Sequence, residues 1–295
     1  MKRLRELPYH LMMLPGIIVL AIFSIGPMVG AIIAFQRFIP ARGIFGSQWV
    51  GLDNFKFMFQ IPDSRQVLWN TIIIAVSKIT LGIIAPLTFA LMLNEVPSAI
   101  FRRNVQTIVY LPHFLSWVFL SGVVINIFSY DGVVNQIVQF FGGDPILFMG
   151  SNAWFRPILI LTDVWKEFGF GTIIYLAALT RISPTLYEAS MVDGASKFKR
   201  LIHITLPGIV PTVVLMAALS LGNVLNAGFD QVFNMYNPLV YKTADIIDTY
   251  VYRVGLIQMQ YGLSTAVGLL KSLVSLILIV CSYRLAYRFA DYRIF

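Results

Sequence analysis

Long, continuous apolar runs separated by short polar connectors dominate this chain. Six of them reach the length of about 20 residues that a helix needs to cross the hydrocarbon of a bilayer. They run from Leu11 to Phe35, Val67 to Leu93, Val105 to Phe128, Pro157 to Thr180, Gly208 to Phe229 and Leu263 to Phe289. The runs do not alternate apolar with polar, so barrel strands are excluded. The first follows Lys2, Arg3 and Arg5, as a secretory signal would. A cleaved signal has an apolar core of only about 7–15 residues, and this run predicts an uncleaved first helix instead. The expectation is an all-α integral membrane protein of six transmembrane helices, with residues 1–295 forming one domain.

Composition narrows the picture. Hydrophobic residues make up 58% and charged residues 12%, against about 25% charged in soluble domains. An ordinary water-soluble enzyme is excluded. So is a disordered chain, because 14% aromatic residues bring more buriable surface than disorder allows. The net charge of +8 raises nucleic acid as a partner, but the basic residues sit in connectors, where they encode membrane orientation. No nucleic-acid partner is expected. Cys281 is the single cysteine, so an intrachain disulfide is impossible. His10, His113 and His203 lack ligand-type spacing, and no metal is expected. No nucleophile, base and orienting group stand together, so no catalytic residue is assigned.

The connectors also orient the chain. With the N-terminus cytoplasmic, Lys2, Arg3, Arg5, Arg102, Arg103, Arg181, Lys197, Lys199, Arg200, Arg284, Arg288 and Arg293 lie inside. Arg37, Arg42, Lys56, Arg65, Arg156, Lys242 and Arg253 lie outside, and the loop from Ser129 to Phe155 holds no Lys or Arg. Basic residues favour the cytoplasmic side, so both termini are expected there.

The stretch 181–207 is the most patterned connector. Ser183 before Pro184 predicts a helix start, and the helix should end at Val192 or Asp193, with Gly194 in the left-handed turn. Ser196 suits the cap of a second helix. There Phe198, Leu201 and Ile202 share one face, and Lys197, Lys199, Arg200 and His203 cover the other, as in a helix lying on the membrane surface. Pro207 either ends that helix or starts the fifth span. Helix, glycine turn and helix suit a rigid knob that docks on a partner, or an anchor at the interface.

Glu188-Ala189-Ser190, three residues, Gly194, nine residues, then Ile204, Leu206 and Pro207 resemble the signature of permease subunits of ABC importers. In that signature the opening is Glu-Ala-Ala and the end Ile-x-Leu-Pro. Asp193 and Ala195 fit its Asp-Gly-Ala form, and Ser190 replaces the second alanine, small for small. The wider chain is similar to the first permease of sugar importers. Gly51-Leu-Asp-Asn-Phe55, Asn70-Thr71 and Tyr110-Leu111-Pro112 carry that likeness, which is greatest with oligosaccharide and polysaccharide-fragment permeases of the aldouronate type.

The resemblance implies a type I ABC importer permease fold and a bacterial plasma membrane location. It implies a second homologous permease subunit, usually different from this one, and two ATPase subunits below. An extracellular solute-binding protein would deliver a sugar from above, and the lipid bilayer surrounds the whole. The loop 181–207 would be the coupling element, with Glu188, Ala189, Ser190, Asp193, Gly194, Ala195, Ile204, Leu206 and Pro207 as its site residues. No phosphate loop of the form Gly-x-x-x-x-Gly-Lys-Ser/Thr occurs. The chain is therefore expected to be a transporter subunit without its own ATPase site. It binds no cofactor, and ATP and Mg are used by the partner.

Charges at membrane depth face a cavity or a partner. Asp163, Lys166 and Glu167 share a helical face in the fourth run, and Lys78 and Lys271 lie in the second and sixth. They either line a sugar path or neutralise one another between helices. Further path candidates are Trp165, Tyr175, Asn223, Asn226, Phe229 and Asp230, which offer aromatic faces and hydrogen-bonding groups. The alternative function is an ion-coupled secondary transporter working through Asp163, Lys166 and Glu167. It leaves the patterned loop unexplained. A membrane enzyme has no supporting motif.

Overall fold

The computed structural model describes residues 2–222 and 224–290. Helix α1 (Lys2–Leu20) continues through a π turn and a 3-10 turn as far as Phe35. A short antiparallel ladder follows, β1 (Gln36–Arg37) with β2 (Gln48–Trp49). Then come α2 (Asp53–Gln60), α3 (Pro62–Asn94), α4 (Ala99–Tyr110), α5 (Trp117–Ile127), α6 (Val133–Phe140) and α7 (Asn152–Leu179). Beyond these lie α8 (Pro184–Val192), α9 (Lys197–Arg200), α10 (Leu206–Gly222), α11 (Phe229–Met235), α12 (Ile247–Tyr252) and α13 (Tyr261–Ala290).

Among the described residues, four helical stretches are long and apolar enough to cross a bilayer: Tyr9–Phe35, Pro62–Asn94, Lys197–Gly222 and Tyr261–Arg284. They match the first, second, fifth and sixth expected runs. The fourth run also forms one helix, α7, about 42 Å long at 1.5 Å per residue. Asp163, Lys166 and Glu167 place three charges within five residues near its middle.

Two expected spans need correction. The third, Val105 to Phe128, is not one rod: Ala99–Phe114 and Trp117–Ile127 meet at 102°. Pro112 supplies no amide hydrogen, and the Ser116 hydroxyl accepts the Phe119 N–H at 3.3 Å and starts α5 afresh. The fifth, Gly208 to Phe229, begins earlier and ends sooner. Its helix starts at Lys197 and stops at Gly222, and a break precedes α11, entered through Gly228 at φ +91°. That conformation favours glycine.

The chain divides into two compact units. One holds residues 1–64 and 250–271. In it the Asn54 amide donates to the Ala34 carbonyl at 2.8 Å and the Gln36 carbonyl at 3.0 Å, and Phe35 stacks on Trp49 at 5.6 Å. Gly262 lies so close that an added Cβ would meet the Gln36 carbonyl oxygen at 2.5 Å. Asn54 of the Gly51–Phe55 segment thus ties that segment down.

The other unit holds residues 65–249 and 272–295. Its apolar core joins Ala90, Tyr175, Ala178, Leu179 and Ile209, from α3, α7 and α10. Buried Asn70 satisfies its whole amide. It donates to the carbonyls of Lys242 and Asp245, each at 3.1 Å, and accepts from Gln66 at 3.1 Å and Arg156 at 2.7 Å. Thr71 accepts the Ile247 N–H at 2.9 Å. Asn70-Thr71 therefore clamps α3 to the segment 242–247. Pro86 lies within α3, and Thr172 donates to its carbonyl at 3.3 Å.

Helix α7 lies close against α4 at Gly169, where a Cβ would sit 2.2 Å from the Val109 carbonyl oxygen. Gly169→Ala should lower the thermal midpoint in detergent, at a cost of about 1–3 kcal/mol from overpacking. Gly122→Ala, where a Cβ meets nothing within 4 Å, should not lower it. Equal midpoints for both variants would contradict the close packing.

Candidate functional site

Two features concentrate polar chemistry: an exposed knob at 183–196 and a buried network around α7. In the knob, Ser183 is extended and Pro184 takes the first helical position, as expected. The Ser183 hydroxyl does not cap an amide, however. It pairs with the Thr185 hydroxyl at 2.7 Å. The end of α8 is a Schellman turn: the Gly194 N–H donates to the Met191 carbonyl at 3.1 Å, and the Ala195 N–H to the Ser190 carbonyl at 2.9 Å. Gly194 has φ +71°, which a β-branched residue adopts only under strain.

The Ser190 hydroxyl donates back to the Tyr187 carbonyl at 2.7 Å, so serine in place of alanine costs no unsatisfied polar group. The Tyr187 hydroxyl meets the Thr205 hydroxyl at 2.9 Å and ties α8 to the helix that follows. Glu188, Ala189, Asp193 and Gly194 are exposed, as are the apolar Met191 and Val192, the latter 89%. The tip of the knob is thus apolar and edged by carboxylates.

The second half of the loop differs from expectation. The helix that Ser196 caps, through the Lys199 N–H at 3.4 Å, is not a separate surface helix. It runs through a π turn, Leu201–Thr205, directly into α10. Pro207 neither ends it nor starts a new helix. The wider turn, in which the Leu206 N–H reaches the Leu201 carbonyl, lets the helix absorb the proline. Ile204 lies in that turn, and Leu206 and Pro207 open α10.

In the buried network, the Lys78 ammonium of α3 meets Asp163 of α7 at 3.1 Å, the Ala227 carbonyl at 2.8 Å and Gln231 of α11 at 2.5 Å. The Gln231 amide donates onward to the Leu159 carbonyl at 2.7 Å and the Thr162 hydroxyl at 3.0 Å. Gly228 is required here, since a Cβ would lie 2.8 Å from the ammonium. A second cluster lies further along α7. Buried Lys166 donates to the His113 carbonyl at 2.9 Å and to Glu167 at 2.8 Å. The other Glu167 oxygen pairs with His113 Nδ1 at 2.7 Å. The His113 ring stacks on Phe170, with centroids 4.0 Å apart.

The structure therefore joins Lys166 with Glu167, and Asp163 with Lys78. It scatters the remaining pathway candidates. Trp165 is exposed, and Tyr175 is packed in the apolar core. Asn226, Phe229 and Asp230 lie beyond the fifth helix rather than at its end. Asn226 and Asp230 are exposed there, and Phe229 stacks on Phe233 at 5.2 Å. Asn223 lies outside the described residues. Sequence reasoning did not find Gln231, His113 or the Tyr187–Thr205 tie. None stands at a helical spacing from its partner, so no local signal marked them.

Spanning helices, helical breaks tied by buried lysines and a rigid knob leading into a span together define a polytopic membrane permease subunit. The chain belongs to the family of binding-protein-dependent transport system inner membrane components, whose model matches residues 78–291. It is similar to Protein LplB of Bacillus subtilis (strain 168), with 43% identity over 95% of this chain and 88% of that protein. It is also similar to the polygalacturonan/rhamnogalacturonan transport system permease protein YteP of the same organism. There the identity is 42% over 98% of this chain and 91% of the relative. A solved chain from a bacterial ABC transporter involved in the import of the acidic polysaccharide alginate superposes with a TM-score of 0.90. It shows 39% identity over 97% of this chain and 96% of that one. A second structure of the bacterial alginate transporter, in complex with an alginate pentasaccharide-bound periplasmic protein, matches with the same TM-score.

Removing one partner of a buried charge pair leaves the other uncompensated, at about 3–5 kcal/mol. Lys78→Met should therefore lower the thermal midpoint sharply, and adding Asp163→Asn should recover part of the loss. Strictly additive losses in this double-mutant cycle would show that the two groups are not coupled.

Proposed function

We propose that this chain is one of two homologous permease subunits of an ABC importer for an acidic oligosaccharide, a fragment of a larger polysaccharide. The observation that carries this reading is the knob, which presents Glu188, Ala189 and Asp193 around a left-handed Gly194 on a braced turn. That shape suits insertion into a cleft on an ATPase partner. Residues 1–295 act as a single permease domain of six spans with both termini cytoplasmic, α7 and the bent α4–α5 pair supplying two of the six. The location is the bacterial plasma membrane.

The loop 181–207 docks on one of two ATPase subunits, which use ATP and Mg. This chain binds neither and has no ATPase site of its own. A second permease completes the pathway, and an extracellular solute-binding protein delivers the sugar. The substrate class is supported by the similarity to YteP and to the alginate transporter. Trp165, Asn223, Asn226, Phe229 and Asp230 remain the candidates for contact with the sugar, and Lys166, Glu167 and Tyr175 are weaker ones because they are paired or buried. Ion-coupled transport through Asp163, Lys166 and Glu167 is the weaker reading, because each of these side chains is engaged by a neighbouring charge.

Knob geometry is testable at one position. A Cβ at Gly194 would touch nothing within 4 Å, so substitution acts through backbone strain of about 1–2 kcal/mol. Gly194→Val should leave the subunit in the membrane and abolish ATP-driven uptake by the importer in proteoliposomes. Gly194→Asn, which tolerates the left-handed region, should retain part of the uptake. Normal uptake by the valine variant would overturn the docking reading.

A further inference from the structure

We propose that the groove between the end of α7 and the π turn ahead of α10 is a binding site for an anionic phospholipid of the cytoplasmic leaflet. This rests on the topology proposed above, in which the loop 181–207 is cytoplasmic. The groove has a volume of about 470 Å³. Ile182, Leu186, Ile204 and Pro207 supply its apolar wall, and Arg181 and His203 supply its basic groups. Among the described residues that line it, none is acidic. Arg181 and His203 are both exposed.

The charge pattern matches a phospholipid headgroup set above an acyl chain. The His203 Nδ1–H donates to the Lys199 carbonyl at 3.0 Å, which leaves Nε2 as the ring's other polar atom. Arg181 offers a planar fork suited to phosphate oxygens. The apolar side lies where the Lys197–Gly222 stretch enters the membrane, the depth at which acyl chains begin. Gly208 lets Ile182 pack closely in the groove's wall, since an added Cβ would sit 2.8 Å from the Ile182 side chain.

The groove lies within the loop 181–207 and shares Ile204 and Pro207 with it, but it is set apart from the exposed tip that is proposed to enter the ATPase. It lies at the start of α8, whereas Glu188, Ala189 and Asp193 lie toward its end. The whole helix is about 13 Å long at 1.5 Å per residue.

The test uses the assembled importer in nanodiscs of equimolar phosphatidylcholine and phosphatidylglycerol, with retained lipid counted by native mass spectrometry. The wild type should retain phosphatidylglycerol in preference to phosphatidylcholine. The double variant R181Q/H203Q should retain about fivefold less or lower still, the factor expected for one lost basic contact near an anionic surface. Arg181→Lys should keep the preference, because it keeps the charge. Equal retention by wild type and double variant would overturn the site. Loss of the ATPase from the double variant with lipid retention unchanged would also overturn it, since the groove would then be a protein interface. Topology is read separately, by maleimide labelling of Ser183→Cys on a Cys281→Ser background. Labelling from the cytoplasmic side with no lipid preference overturns the lipid site alone. Labelling from outside overturns the topology and the lipid site with it.

Discussion

A lysine ammonium cannot rest in a mostly apolar helical bundle without acceptors, and Lys78 sets much of what surrounds it. Its desolvation is offset only when several acceptors converge. Three do so: the Asp163 carboxylate, the Gln231 amide oxygen and the Ala227 carbonyl. The third is available because the chain has left helical geometry there. A continuous fifth helix would have spent that carbonyl on its own backbone. The break after Gly222, the left-handed Gly228 and the buried charge are thus one arrangement, and each would be unfavourable alone.

The same solution occurs at the other interruption. Irregular backbone is tolerated at membrane depth only where protein satisfies it. At the bend between α4 and α5, the His113 carbonyl receives the Lys166 ammonium. At the break between α10 and α11, the Ala227 carbonyl receives that of Lys78. In both places a lysine from a neighbouring helix caps a carbonyl at the break, and a carboxylate on α7 balances its charge. Helix α7 carries both carboxylates, which concentrates charge near its middle. Its charged face is a set of joints between helices, and Lys166 and Glu167 have their polar atoms committed to those joints.

The sequence discloses this architecture unevenly, for physical reasons. Apolar runs report that a segment prefers hydrocarbon, and they located every long helix. Hydropathy carries no direction, so a run that turns through 102° between Phe114 and Trp117 reads like a straight one. Turn chemistry was far more legible. Pro184, Gly194 and Ser196 each satisfy a local backbone demand, and the knob follows the spacing except at Ser183, whose hydroxyl pairs with Thr185 rather than capping an amide. The prediction failed at Pro207, where a π turn, a non-local compromise between proline and packing, keeps the helix going. Among the buried charges, the face shared by Asp163, Lys166 and Glu167 was readable from helical spacing. Their partners were not, because Lys78, His113 and Gln231 meet them only through the fold.

Continuity between knob and network gives the arrangement a mechanical sense. The Tyr187–Thr205 contact fixes α8 to the π turn, and the helix then runs unbroken to Gly222. Along the way Ile209 packs against Tyr175, Ala178 and Leu179 of α7. Five residues past the helix end lies the carbonyl that holds Lys78. A packed helix moves as a rod, because close-packed interiors deform little. The rod ends at Gly222, close in sequence to the segment 224–231 that the hydrogen bonds of Lys78 hold in place. Among the described residues, this line departs from α-helical geometry at the π turn and between Val224 and Gly228. They are the places where a rod can turn without breaking the helical hydrogen bonds on either side.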